Sequence, residues 1–444
     1  MCIRDSVYTL PPVRIQARRI PPEEILLVAP GQVSLVPIEP FRVDVGHVAE
    51  ALDRIPGLSV HHTGSVGHDA SVSIRGAGAS QVRLYLDGVP LTRAGLGLTN
   101  LAELPFAGLD HIEVYRGFAP PGLPGSSPGG AIHLLTPRLE TLAPRATQVL
   151  AAAGSFGTQR LGLRQEMRLG SNWMGLFVVD GLRSEGTFEF QDDNGTPMNE
   201  ADNFSTTRHN NWVRSDEILA KLGRSLDQGG RVEILHQWVG RAQGVPGYTS
   251  VQSLHAEQSS SHHLTNANLV LPALWSGRFQ GRGQIFHDWR RDDFLDEYSE
   301  IGLGYQDNRD VTEAIGTHLA ALLRFPAPQR LALHFDARRE SFLPWRRFPA
   351  EQLGPEQLRT TLELAVESTW RLPGDRLHLQ GVLRFTREED QFSGDLRTAY
   401  SRNQAPSEQR QYEEPRVAAR LRLFPGVHLE GSYGEHHRSP GFLE

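Results

Sequence analysis

From Arg145 onward, apolar and polar residues alternate in runs of about ten or more, the period of a β-strand whose two faces meet different surroundings. In residues 160–169, Leu161, Leu163, Met167 and Leu169 share one face, while Arg160, Arg164, Glu166 and Arg168 share the other. In residues 376–385, Leu377, Leu379, Leu383 and Phe385 oppose Arg376, His378, Gln380 and Arg384. In residues 416–423, Val417, Ala419, Leu421 and Leu423 oppose Arg416, Arg420 and Arg422. A soluble sandwich would alternate too, so the connections must decide. After a first hairpin at 154–158, tight turns are predicted around 170–172, 227–230, 272–276, 326–329, 373–375 and 425–426. Long polar loops are predicted between them, at 184–211, 241–261, 291–310, 344–357 and 388–413. Short at one end and long at the other is the asymmetry of a membrane β-barrel. Trp173, Trp238, Trp275, Trp289 and Trp370 are expected near strand ends, where aromatic girdles sit. The pattern yields about thirteen strands.

Composition is compatible with that reading and excludes others. Mean hydropathy is −0.37 and no run of about eighteen apolar residues occurs, which rules out a transmembrane helix but not strands that alternate. A net charge of −7 argues against a nucleic-acid partner, whose phosphates need a basic surface. Cys2 is the single cysteine, so no intramolecular disulfide or cysteine metal site can form. With 44 glycines and 29 prolines the chain suits many turns and loops. Lys221 is the sole lysine beside 44 arginines, which reads as the bias of a GC-rich genome rather than a physical adaptation.

The upstream part reads differently. Residues 1–6 match the translation of a sequencing-library adapter and are taken as an artefact, with the true N-terminus and any signal peptide missing. Residues 7–40 are broken by Pro11, Pro12, Pro21, Pro22, Pro30, Pro37 and Pro40 and read as an extended linker, in which Val13 to Ala17 alternates like a strand. Residues 41–140 form a compact α+β unit. Asp44 is the expected cap of a helix carrying Val48, Leu52 and Ile55 on one face, stopped by Pro56-Gly57. Strands are predicted at 58–61, 71–75, 82–87, 111–115 and 131–136, with Asp87-Gly88 turning into 89–91. Residues 145–444 are the barrel part, expected to stop before its last strands.

Five blocks of the 41–140 unit carry a resemblance. They are Ala51 to Val60 (ALDRIPGLSV), Val72 to Gly76 (VSIRG), Val82 to Leu91 (VRLYLDGVPL), Ile112 to Gly117 (IEVYRG) and Pro124 to Leu134 (PGSSPGGAIHL). In this order they resemble the plug of TonB-dependent outer-membrane receptors, and the layout is most similar to that of the vitamin B12 receptors. The resemblance implies a 22-stranded transmembrane β-barrel around an N-terminal plug, of which about thirteen strands would be present. It implies no enzymatic activity, but active transport across the bacterial outer membrane of a scarce ligand, cobalamin- or siderophore-like. The partners would be a periplasmic TonB-type energy-transducing protein and the small molecule. A haem receptor, or a non-transporting surface receptor or adhesin on the same scaffold, is the alternative. Pro124-Gly125 departs from the family's more usual aromatic residue before glycine.

The resemblance also nominates residues. Val13, Arg14, Ile15, Gln16 and Ala17 are similar to a TonB box, an extended segment that can add a strand to a partner's sheet; the bland reading is an ordinary linker. His61, His62 and His68, with Leu91, Thr92, Arg93 and Leu96, would lie on two plug apices and touch ligand, whereas the glycines around them could simply permit tight turns. Asp192, Asp193 and Asp202 crowd one loop and could hold calcium through oxygen, although such a run more often faces solvent; no other cofactor is expected. His436 and His437, before Arg438-Ser439-Pro440, could ligate haem iron. Gly125 to Gly129 fits a nucleophile elbow in letters alone, since Pro128 lacks the N–H that an oxyanion hole requires.

Overall fold

The computed structural model describes residues 33–42, 47–64, 68–91, 95, 97, 99–248, 251–272, 274–325, 329–348, 351–372, 376–393, 407–424 and 427–442. Val13–Ala17 and Asp44 therefore lie outside the described residues.

The N-terminal unit is a small mixed sheet wrapped by short elements. Strands β1 (Val33–Pro37), β6 (His111–Tyr115), β7 (Gly130–Leu135), β4 (Val82–Leu86) and β5 (Val89–Pro90) pair in that order, with β4 and β7 parallel. A separate hairpin joins β2 (Leu58–His62) to β3 (Ala70–Ile74), and helix α1 (Val48–Asp53) packs beside it. The turn at Asp87-Gly88 forms as expected: both residues take positive φ, 47° and 88°, the geometry a two-residue hairpin demands. Leu52, Ile74, Leu84, Leu86, Ile112 and Ile132 fill the core, and Leu264 and Phe286 join it from the surrounding wall. One boundary shifts. Residues 33–37, read as linker, are the edge strand of this sheet, because Val33, Leu35 and Val36 pair with β6 and Pro37 can end a strand that needs no further donor.

The wall is one antiparallel ladder. It runs through β8 (Arg145–Ala153), β9 (Gln159–Leu169), β10 (Trp173–Ser184), β13 (Val213–Ser225), β14 (Arg231–Gly244), β15 (Glu257–Val270), β16 (Phe279–Asp296), β17 (Gln306–Arg324), β18 (Gln329–Arg346), β20 (Gln357–Arg371), β21 (Leu377–Phe392), β22 (Ser407–Phe424) and β23 (Val427–Gly434). A two-residue strand, β19 (Gln352–Leu353), pairs with β18, and β11 (Glu189–Asp192) with β12 (Phe204–Thr207) makes a hairpin within a loop. The ladder thus has the thirteen principal strands expected, with β8 and β23 at its edges.

Its polarity is inverted relative to a soluble domain. In β20, Arg359, Glu363 and Glu367 are buried while Leu362, Leu364 and Trp370 are exposed. Arg160 and Arg164 point inward from β9, and Leu161 and Leu163 outward. Charged side chains inside and an apolar belt outside suit a wall with hydrocarbon around it and polar contacts within. The strands also run further than expected. The predicted loop 291–310 shrinks to 297–305, because Asp292 and Asp296 continue the inward series of β16. Charged residues in a strand that rises clear of the belt look like loop in composition. The same extension relocates the tryptophans. Trp173 and Trp370 do sit at turn-side strand ends, and Trp275 lies in a turn, but Trp238 and Trp289 are mid-strand. Trp289 lies about ten residues into β16, ~33 Å along a strand and ~24 Å along the barrel axis at the usual tilt, so the two tryptophan levels bracket a belt of ordinary thickness.

Candidate functional site

The plug sheet sits against the lumen face of the wall, fixed by wall charges that capture plug backbone. The Glu217 carboxylate on β13 accepts the N–H groups of Phe106 (2.9 Å), Ala107 (3.2 Å) and Gly108 (3.3 Å). Arg384 on β21, 1% exposed at its side chain, donates to the carbonyls of Pro121 (3.2 Å), Leu123 (3.1 Å) and Gly125, while its Nε lies 3.2 Å from Glu363. Glu363 in turn accepts the Gly125 N–H at 2.8 Å. Lys221 on β13 donates to Thr136 Oγ1 (3.0 Å) and the Pro137 carbonyl (3.1 Å), with Glu233 at 3.4 Å and Asp87 at 3.8 Å. Its compact ammonium serves several acceptors spread around one point, a task that a planar guanidinium performs poorly. Lys221 thus has a structural task at this joint, which the composition bias does not explain.

The long-loop end holds a cavity of about 280 Å³. Gly95 of the plug forms part of its floor, and Gln258, Asp292, Asn308, Asp310, Thr312 and Phe342 line the wall side. An added Cβ at Gly95 would stand 2.8 Å from the Phe342 ring, so the close seat of this plug loop requires glycine. Above it the loops are stitched together. Glu300 accepts from Ser253 Oγ (2.7 Å) and from the backbone N–H groups of Leu254 (2.9 Å), His255 (2.7 Å) and Ala256 (3.2 Å). Desolvation opposes ionisation of Glu300, yet these donors carry its carboxyl down to about 2. Asn210 donates to the Val245 and Ala256 carbonyls, joining loop 185–212 to loop 245–256.

The nominated residues separate under this geometry. His68, 4% exposed, is no open ligand contact: its Nε2 lies 3.3 Å from the Asn211 carbonyl, and burial lowers its proton affinity. Its neighbour Asp69 meets Arg241 at 2.6 Å and accepts from Asn100 at 2.6 Å. This apex is spent on docking the plug to β14. Leu91 is buried in the plug core rather than presented to ligand. His61 and His62 are exposed on β2, and neither lines the cavity. Thr92, Arg93 and Leu96 lie outside the described residues, although Gly95 among them reaches the cavity. Asp192, Asp193 and Asp202 do not converge. Asp192 accepts from the Asn194 N–H, Asp193 from Gly195 and Asp202 from Thr196 Oγ1, and among the described residues no three such ligands could hold a metal. His436 stacks on Phe118 (4.6 Å) and meets Ser126 Oγ at 2.8 Å, while His437 stacks on Tyr412 (5.0 Å). Both rings are used in packing.

Within the plug, burial drives His47 down to about 3, so it stays neutral. Burial also opposes protonation of His111, but the hydrogen bonds it donates to Asp110 and Glu113 outweigh it and push it up to about 9.

Residues 29–131 match the family described as TonB-dependent Receptor Plug Domain. That segment, the small N-terminal sheet and its short elements, is thus a plug domain of this kind. Among solved structures the chain is similar to the copper transporter OprC (15% identity, TM-score 0.73, covering 94% of this chain and 65% of that one). It is similar to the ferric citrate transporter FecA (13%, 0.71, 93% and 63%) and to the hemophore receptor HasR of Serratia marcescens, solved with its hemophore HasA and heme (16%, 0.68, 93% and 64%). The chain spans just under two thirds of the length of each. At these identities the likeness shows the fold.

Sequence reasoning missed Glu217, Lys221, Arg384, Arg241 and Glu300 as fixing residues. Lys221 alone carried a signal, its singularity.

Proposed function

We propose that this chain serves TonB-dependent active uptake of a scarce small ligand across the bacterial outer membrane, a metal chelate of siderophore- or cobalamin-like type. The observation that supports it most is the pairing of an inverted wall with a plug seated in its lumen. A passive pore would leave that lumen open, whereas here Glu217, Lys221 and Arg384 fix the plug at three separate points. Ligand would be captured in the cavity above Gly95, under the stitched loops. A periplasmic TonB-type protein would then pull through Val13–Ala17 by strand addition. The haem alternative rests on His436 and His437, whose engagement with Phe118 and Tyr412 disfavours it.

The test is uptake in a receptor-deficient bacterium expressing the protein in its outer membrane, offered labelled ferric siderophores and cobalamin. Ile15→Pro removes a backbone donor from the strand that TonB would pair with, so uptake should fall to background while surface binding persists. Equal uptake by wild type and variant refutes the coupling. Absence of any retained ligand refutes the receptor reading in favour of an adhesin.

A further inference from the structure

On the outward side of the wall an open trough of about 630 Å³ crosses the strands from β14 to β20. It follows from the register. One outward row pairs Ile234, Ala267, Ile285, Thr317, Ala337 and Leu362 across neighbouring strands. Ile234, Ile285 and Leu362 stand exposed as ridges, while Ala267, Thr317 and Ala337 between them are small. The outward row nearer the short turns is bulky, with Leu269, Leu319, Phe335 and Leu364 all exposed. The row nearer the loops carries Ile315 and Arg339. Large apolar side chains thus close the trough below, and a guanidinium caps it above. The Thr317 hydroxyl donates to the Gln284 carbonyl at 3.0 Å, so it leaves no unmet polar group in the floor.

Arg339 is exposed on the outward face and has no carboxylate within ion-pair distance among the described residues. Its diagonal neighbour Glu313 is engaged by His287 at 2.7 Å. Arg339 lies about ten residues into β18, as Trp289 does in β16, which sets it at the upper tryptophan level, where hydrocarbon gives way to headgroups. A lipid-facing arginine there extends its charge to the interface, and the anion that the interface offers is lipid phosphate. Strands of such a wall tilt by about 35–45°, so a trough running across them passes obliquely between that level and the hydrocarbon.

We infer that this trough is a docking site for one anionic, phosphate-bearing lipid of the outer leaflet, with an acyl chain over Thr317 and Ala337 and the phosphate paired to Arg339. Covering the trough brings no hydrophobic gain, because lipid tails surround the wall already. Selection comes instead from dispersion contact along the floor and from the planar fit of guanidinium to phosphate, and only a molecule carrying both parts can use both. The inference rests on the reading of the wall as membrane-embedded and adds to it one particular lipid contact.

The experiment uses the full 444-residue chain folded in detergent, analysed by native mass spectrometry after incubation with phosphatidylglycerol, phosphatidylcholine or glycerol phosphate. One retained phosphatidylglycerol per chain is expected, favoured roughly tenfold over phosphatidylcholine, whose choline already balances its phosphate. Arg339→Gln should bring the two lipids to parity, whereas Arg183→Gln, which removes an exposed arginine about as far along β10, should change nothing. Ala337→Phe adds only apolar bulk to the floor, so the adduct should vanish while circular dichroism and the melting profile stay as in wild type. Flotation with phosphatidylcholine vesicles reports membrane embedding separately. A chain that floats but retains both lipids equally refutes the site alone, and a chain that does not float refutes the membrane reading with it. Undiminished retention in Ala337→Phe, retention of glycerol phosphate without a chain, or a dimer in place of lipid adducts would each overturn the inference.

Discussion

Arg384→Met tests how the wall holds the plug. The substitution keeps the length of the apolar stem and removes the guanidinium, leaving the carbonyls of Pro121, Leu123 and Gly125 without their wall donor and Glu363 without its opposite charge. Hydrogen bonds from a charged donor contribute roughly 1.5–3 kcal/mol each, so three would set a ceiling near 4.5–9 kcal/mol if they added. They share one group and do not add. Breaking one partner of a buried ion pair costs about 3–5 kcal/mol, and Glu363 retains the Gly125 N–H, which favours the middle of that range, ~4 kcal/mol. Arg384 is 1% exposed at its side chain, so solvent screening takes little away. At about 1.4 kcal/mol per tenfold, the segment 119–125 should open on the order of a thousandfold more often. Amide hydrogen exchange read by mass spectrometry should show this in peptides covering 119–127, while β13–β15 keep their protection. Adding Glu363→Gln removes the stranded charge and should recover part of the loss. Unchanged exchange at 119–127 in the single variant would refute the clamp, and a double variant no better than the single would refute the electrostatic account of it.

Other outcomes follow from the same geometry. Between pH 6.5 and 3 the unfolded chain takes up a proton that folded His47 refuses, so plug stability falls as pH falls through that window. At pH 5 the loss is ~2 kcal/mol, and comparing chemical denaturation of wild type and His47→Gln should show it missing from the variant. His111 acts in the opposite direction, stabilising fully below pH 6.5 and losing its contribution as pH rises through about 9, which His111→Gln should remove from the alkaline limb. Glu300→Ala strips four donors of their acceptor, and hydrogen exchange should rise across 253–256 by roughly a hundredfold, with strands β14 and β15 unaffected. Gln237 is wholly buried and neither amide atom has a partner, so Gln237→Leu should leave stability unchanged or raise it by about 1 kcal/mol in a thermal melt.

What could be read in the chain beforehand was what is local. Strand alternation has a period of two, and Leu377, Leu379, Leu383 and Phe385 proclaim it within a few residues. The Asp87-Gly88 turn needs only its own backbone. The lengths of the strands were harder, because Asp292 and Asp296 are as polar as loop residues and only the pairing partner shows that they still belong to β16. The docking of the plug was illegible for a different reason. Arg384 meets carbonyls more than 250 positions away, and a carbonyl leaves no mark in a sequence. His68 shows the same limit. Gly64 and Gly67 just before it made it look like a free loop residue, and its burial depends on Asn211, which arrives from the loop before β13. The resemblance named two plug loops as ligand contacts, and nothing in their sequence distinguished the one that docks on β14 from the one whose Gly95 reaches a cavity.

The lone lysine makes the molecule its own reporter. Acylating reagents attack unprotonated amines, and Lys221 is the one side-chain amine among 444 residues, so the α-amino group aside, every acyl mark reports on a single point. That point is shielded, 5% exposed, by the very residues that tie the end of the plug to the wall. A membrane-impermeant acyl reagent applied in pulses would therefore read the seating of the plug as a mass increment on one peptide, with no engineered cysteine and no altered contact.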